Sequence, residues 1–137
     1  MLTKLPLNRL LQTREEVNQC TEDLSRNGLM PHGLSCKNYD IRMIVPYLEN
    51  GKRMLDMGCN GSYILHNADV LGLSGRRCGI DLSITTDPTS GAEYFVGDLM
   101  STPFGNESFD LIFCLSVIEH FVDFELFAKE VSRLLVS

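Results

Sequence analysis

The spacing of apolar residues changes part-way along the chain. In residues 14–26, Val17, Cys20 and Leu24 fall on one face at helical spacing, which predicts a helix. Thr13 and Glu16 form a T-x-x-E capping box before it, and Gly28 supplies a stop. A second helix is predicted over about 39–49, with Ile41, Ile44, Val45 and Leu48 facing inward. Pro46 should kink or shorten it, and Gly51 should end it. From residue 53 onward, short apolar runs alternate with helical stripes. Residues 53–57, 77–81, 92–96 and 109–115 read as strands. Residues 62–71 read as a helix with Ile64, Leu65, Ala68 and Leu71 inward and Gly72 as its stop. Residues 124–135 read as a last helix whose core face is Phe124, Phe127, Ala128, Val131, Leu134 and Leu135. The unbroken apolar run in 109–115 suits a parallel strand buried on both faces.

This order of elements is the α/β pattern of an open, mostly parallel sheet. The predicted organisation is a helical segment over 1–51 followed by a sheet domain over 52–137. Such sheets bind ligands beyond the carboxyl ends of their strands. The polar residues at those ends are therefore the first candidates: 56–61, Asp81, Asp98 and 116–120.

Composition narrows the partners. The net charge is −6, which disfavours a phosphate backbone, and Arg76-Arg77 is too short to make a basic patch. Nucleic acid is therefore a poor first expectation for the partner. The five cysteines are odd in number and none lies at C-x-x-C spacing, so neither a disulfide framework nor a zinc site is expected. That fits a reducing compartment. Residues 1–11 lack the long apolar core of a signal peptide, and no apolar run approaches the roughly 20 residues that span a bilayer. A cytoplasmic protein is expected.

Each candidate position has a chemical reason. A strand that enters a helix through Gly58 and Gly61 lets a ligand approach the backbone, and the helix start offers unpaired N–H groups. A tight turn without a ligand fits the same residues. Asp81, at the next strand end, can accept both hydroxyls of a ribose, or can cap a helix. Asp98, after the third strand, can accept from the amine of adenine, or can stabilise its own turn. Three acceptors at three successive strand ends are more informative together than singly.

The residues from 53 to 135 resemble the class I S-adenosylmethionine-dependent methyltransferases, in the branch of quinone-biosynthesis and small-molecule enzymes. The shared features are the turn Leu55-Asp56-Met57-Gly58-Cys59-Asn60-Gly61-Ser62, then Gly79-Ile80-Asp81-Leu82-Ser83, then Gly97-Asp98-Leu99. Pro103-Phe104, Ser108-Phe109-Asp110, Glu119-His120 and Arg133-Leu134-Leu135 complete the match. The resemblance implies a Rossmann-like fold and S-adenosyl-L-methionine as cofactor. It implies that Gly58, Cys59, Asn60 and Gly61 line the methionine end, with Asp56 fixing that turn. It implies Asp81 and Leu82 at the ribose side, Asp98 and Leu99 at adenine, and Ser116 beside the sulfonium. No catalytic residue is assigned; His120 is a titratable group near the site that also suits a structural role. The sequence departs from the family at Asn60 and Ser62, which stand where the family has glycine.

The family fold continues past the Arg-x-Leu helix, and this chain stops at Ser137. Without a fifth strand, residues 111–115 would form an apolar edge. The expectation is a fragment of a longer protein, or a chain that covers this edge by self-association. Two other functions fit parts of the pattern. One is a cofactor-binding module without turnover. The other is an NAD-dependent oxidoreductase, but the turn lacks G-x-G-x-x-G spacing and Asp98 has no place in that site.

Overall fold

A computed structural model describes residues 2–4, 13–84, 91–120 and 122–137. Most of the 1–11 stretch read above for a signal peptide lies outside them.

Four strands form one parallel sheet in the order β3-β2-β1-β4. They are β1 (Met54–Met57), β2 (Arg77–Asp81), β3 (Glu93–Val96) and β4 (Leu111–Phe113). Met54 pairs with Arg77 on one side and Leu111 on the other, and Asp81 pairs with Val96. The order reverses between β1 and β4, which places a crevice at the carboxyl end of β1.

Side chains alternate across β1 and divide the core in two. Met54 packs with Leu24, Leu29, Ile41, Val45, Ile64, Leu65 and Ala68 on one face. That face is covered by α1 (Arg14–Arg26), α2 (Ser35–Ile44) and α3 (Tyr63–Val70). Leu55 and Met57 pack with Cys78, Ile80, Phe104, Phe109, Phe127 and Leu134 on the other face, under α4 (Phe124–Leu134). The N-terminal helices thus share a core with the sheet.

Several elements differ from the sequence expectation. The second helix starts at Ser35 and stops at Ile44, passing into a 3-10 turn over Val45–Tyr47. Pro46 has no N–H to continue the α-helical ladder, so the last turn tightens. Strand β4 is only three residues long. Before it, the Asp110 carboxylate takes the backbone N–H of Arg53, and Phe109 pairs in parallel with Leu135 on the opposite side. After it, the chain leaves the sheet toward Ser116, whose φ is +55°. Leu111 and Ile112 are only half-buried, so β4 is not covered on both faces as its apolar run suggested; among the described strands it is an edge of the sheet, as also expected.

Two apolar faces are also rotated. Leu71 is exposed as the C-cap of α3. In α4, Phe124 is 67% exposed and Ala128 is exposed, while Glu130 is buried beside Phe127 and Leu134. Glu130 occupies the inner face because Thr102 donates its N–H and hydroxyl to Oε1, at 2.8 and 2.6 Å. Arg133 supplies the countercharge at 2.6 Å. These contacts hold the Glu130 carboxyl down at about 2, with the Arg133 hydrogen bond the largest cause. Among the described residues, no helix is long and apolar enough to cross a membrane.

Candidate cofactor site

The carboxyl ends of the four strands and the loops that follow them converge on one cleft of about 730 Å³. Its floor is Asp56, Gly58, Cys59, Asn60, Gly61 and Ser62, from the end of β1 and the turn after it. Asp81 and Leu82 enter from the end of β2, Asp98 and Leu99 from β3, and Ser116 from beyond β4. All ten residues proposed from the sequence therefore line the same space.

The turn explains why its residues are what they are. Gly58 has φ +80°, and a Cβ there would lie 2.1 Å from Val117 Cγ2. Asn60 has φ +44°, in the left-handed region that asparagine tolerates better than most residues. Its N–H donates to Asp81 Oδ2 at 2.9 Å. Ser62 caps α3: its hydroxyl accepts the N–H of Leu65 at 3.0 Å and donates to the Asp56 carboxylate. The two departures from the family glycines thus have local roles, one in the turn and one as a helix cap.

Two of the acids are partly occupied by the protein itself. Asp81 spends one oxygen on the turn, while Oδ1 has a long contact of 3.4 Å from Ser83 N–H. Asp98 Oδ1 accepts the N–H of Met100 at 2.8 Å, an Asx turn. Both acids thus have a structural role in their own loops and also line the cleft.

The profile of the methyltransferase domain family matches residues 55–137. The chain belongs to that family. The match begins at the β1 strand that carries the turn and runs to the end of the chain. Among curated relatives, it is 34% identical over 93 residues to a phthiotriol/phenolphthiotriol dimycocerosates methyltransferase of Mycobacterium leprae, covering 63% of this chain and 34% of that protein. The chain thus spans about a third of the length of the curated relatives it matches.

The fold is that of solved class I methyltransferases. An S-adenosylmethionine-dependent methyltransferase from Mesorhizobium loti superposes with TM-score 0.57 at 21% identity, over 72% of this chain and 48% of that one. A phosphoethanolamine N-methyltransferase 2 of Haemonchus contortus, solved with phosphomonomethylethanolamine and S-adenosylhomocysteine, gives 0.58 at 24% identity, over 72% and 25%.

The electrostatics of this methyltransferase domain centre on Asp56. Burial pushes its carboxyl up to about 6; the Ser62 hydroxyl opposes that shift, and Asp81 adds to it. Beside it, burial pushes the Cys59 thiol up to about 12 and the Cys114 thiol up to about 11. Both therefore stay protonated and serve as packing, not as nucleophiles. Gly79 is required by that packing, since a Cβ there would meet Cys59 Sγ at 2.6 Å.

Sequence reasoning missed much of the opposite wall. His32, Lys37, Ile41 and Tyr63 come to the cleft from the N-terminal segment and α3, and Met100 and Val117 from the later loops. Lys37 Nζ donates to Ser116 Oγ, a residue 79 positions away. No local pattern signals such a contact. His120 also lines the cleft; its exposed ring lies 4.0 Å from Glu119 Oε1.

Proposed function

We propose that this chain binds S-adenosylmethionine and takes part in methyl transfer to a small-molecule acceptor. The observation that carries the reading is the convergence of Asp56, Gly58, Asp81 and Asp98 on one cleft at the carboxyl ends of parallel strands. The residues fit that cofactor. Gly58, at φ +80° and packed against Val117, lets the turn run close under the cleft with no side chain of its own. Leu82, 73% exposed, and the buried Leu99 give apolar surface beside the two strand-end acids, as a nucleobase needs.

In this reading the backbone of 58–61 and the start of α3 border the methionine end. Asp56, ionised above about pH 6, faces the cationic groups there. The second oxygen of Asp81 accepts from ribose, Asp98 and the Leu99 N–H recognise adenine, and the loop at Ser116 borders the sulfonium. The cofactor supplies an already activated methyl group. The chain's own contribution is to hold the reacting groups in line and exclude water.

Two further parts of the reading go with it. Residues 52–137 form the donor-binding part, and 1–51 contribute the acceptor side. The open side of β4, with half-buried Leu111 and Ile112, is a surface for self-association. We place the activity in the cytoplasm, which agrees with five free cysteines.

The test is calorimetric titration with S-adenosylhomocysteine. Asp81→Ala would also release the Asn60 N–H, so Asp81→Asn is the cleaner variant: its amide oxygen still holds the turn while the carboxylate is lost. Losing charged hydrogen bonds to a ribose should weaken binding by roughly 10–100-fold. Tight NAD binding with no S-adenosylhomocysteine binding would overturn the reading.

A further inference from the structure

The wall of the cleft facing the turn is built with unusual care. Asn67 and Asn38, both fully buried, clasp the short stretch at Met30 and His32. Asn67 Oδ1 accepts the Met30 N–H at 2.7 Å, and its Nδ2 donates to the Met30 carbonyl at 3.0 Å. Asn38 repeats the arrangement on His32, at 2.7 and 3.0 Å, and also donates to Thr21 Oγ1. Each amide takes the place of a missing strand neighbour. Buried amides satisfied at both ends hold the backbone in one position.

That position fixes the His32 ring. Leu34 donates its N–H to Nδ1 at 2.8 Å, so the neutral ring carries its proton on Nε2. The ring rests on Tyr63 with centroids 4.5 Å apart. Lys37 follows on α2, next to the clasping Asn38, and reaches across to Ser116. One of its three protons is used there. Among the described residues, Lys37 is the one lysine or arginine that lines the cleft, while the cofactor side carries Asp56, Asp81 and Asp98. The cleft is polarised, acidic on the cofactor side and donor-rich on the N-terminal wall.

We propose that His32 and Lys37 form a subsite for a carboxylate carried by the methyl acceptor, with the Nε2–H and the ammonium as its donors. The inference rests on the methyltransferase reading above, because Ser116, which tethers Lys37, lies where that reading puts the reacting methyl group. It goes beyond that reading by naming the acceptor as an acid. A carboxylate also ends the cofactor's amino-acid chain, so the test must separate the two sources.

The probes are benzoate and its uncharged counterpart benzamide, titrated by ligand-detected NMR with S-adenosylhomocysteine present. Benzoate should bind more tightly by roughly tenfold, as expected for a charge-assisted contact, and Lys37→Met should abolish the preference while Lys37→Arg restores most of it. Lys37→Gln, which keeps the reach without the charge, serves if Lys37→Met does not fold. Equal binding of the two probes, or an unchanged preference in the neutral variants, overturns the proposal. The second arm compares S-adenosylhomocysteine with 5′-methylthioadenosine, which lacks the amino-acid end. If Lys37→Met weakens the first and spares the second, Lys37 serves the cofactor and the acceptor assignment falls. If the wild-type chain binds neither nucleoside, the methyltransferase reading itself fails, and the benzoate titration of the protein alone still decides the anion subsite.

Discussion

Asp56→Asn isolates the electrostatic cost of the turn. The carboxyl is buried and is pushed from its ordinary 3.8 up to about 6, mainly by burial. Between those values the folded chain holds a proton that the unfolded chain has released. Stability therefore falls as pH rises through the window, and the cost is fully present above it. The gap corresponds to about 3 kcal/mol. Asparagine keeps the size, and its oxygen still accepts from Ser62, but it never ionises. Its extra N–H protons need partners, a cost that does not vary with pH. The offset cancels when the difference between variant and wild type is followed against pH. That difference should move in favour of Asp56→Asn by about 2–3 kcal/mol between about pH 4 and 7.5, or roughly 10 °C in Tm for a chain of this size. Urea unfolding followed by circular dichroism at several pH values measures it. A difference that stays flat across the range would refute the reasoning, since Asp56 would then have the same affinity for its proton in both states.

Two more outcomes test other parts of the frame. Gly58→Ala places a methyl group 2.1 Å from Val117 Cγ2 at φ +80°, and should destabilise the fold by about 2–4 kcal/mol. Adding Val117→Ala should recover the steric part but not the backbone part, which a double-mutant cycle resolves. Arg53 holds the Asp110 carboxyl down at about 2 through its guanidinium and its backbone N–H. That contribution is present above the ordinary 3.8 and is lost as pH falls toward 2, so Asp110→Asn should flatten the stability profile across that window in the same unfolding assay.

Legibility in the sequence followed the range of the interactions. Helix α1 and its capping box were readable because Thr13, Glu16 and Gly28 act within one turn of it. Strand β2 was readable to the residue, its ends marked by a change in pattern. The cleft residues named from the sequence were readable because they lie at or near strand ends, and parallel strands bring their carboxyl ends together. The α4 face was misjudged at Phe124 and Glu130. The apolar stripe was real, but Thr102 and Arg133 give a carboxylate enough hydrogen bonds to sit inside, and among the described residues Phe124 stays 67% exposed. Strand β4 was predicted too long, because its apolar run does not reveal that Phe109 pairs on the other side with Leu135.

By itself the sequence determined the order of elements, the parallel α/β sheet and one wall of the cleft, since all of these follow from local periodicity and from residues placed at strand ends. Only the tertiary structure decided the opposite wall. Asn67 clasps a residue 37 positions away, and Lys37 meets Ser116 across 79. The burial that lifts Asp56 exists only once β1 is enclosed between β2 and β4 in the folded sheet. Contacts between distant segments leave no period and no motif, because they depend on how faces meet and not on how residues are spaced along one element.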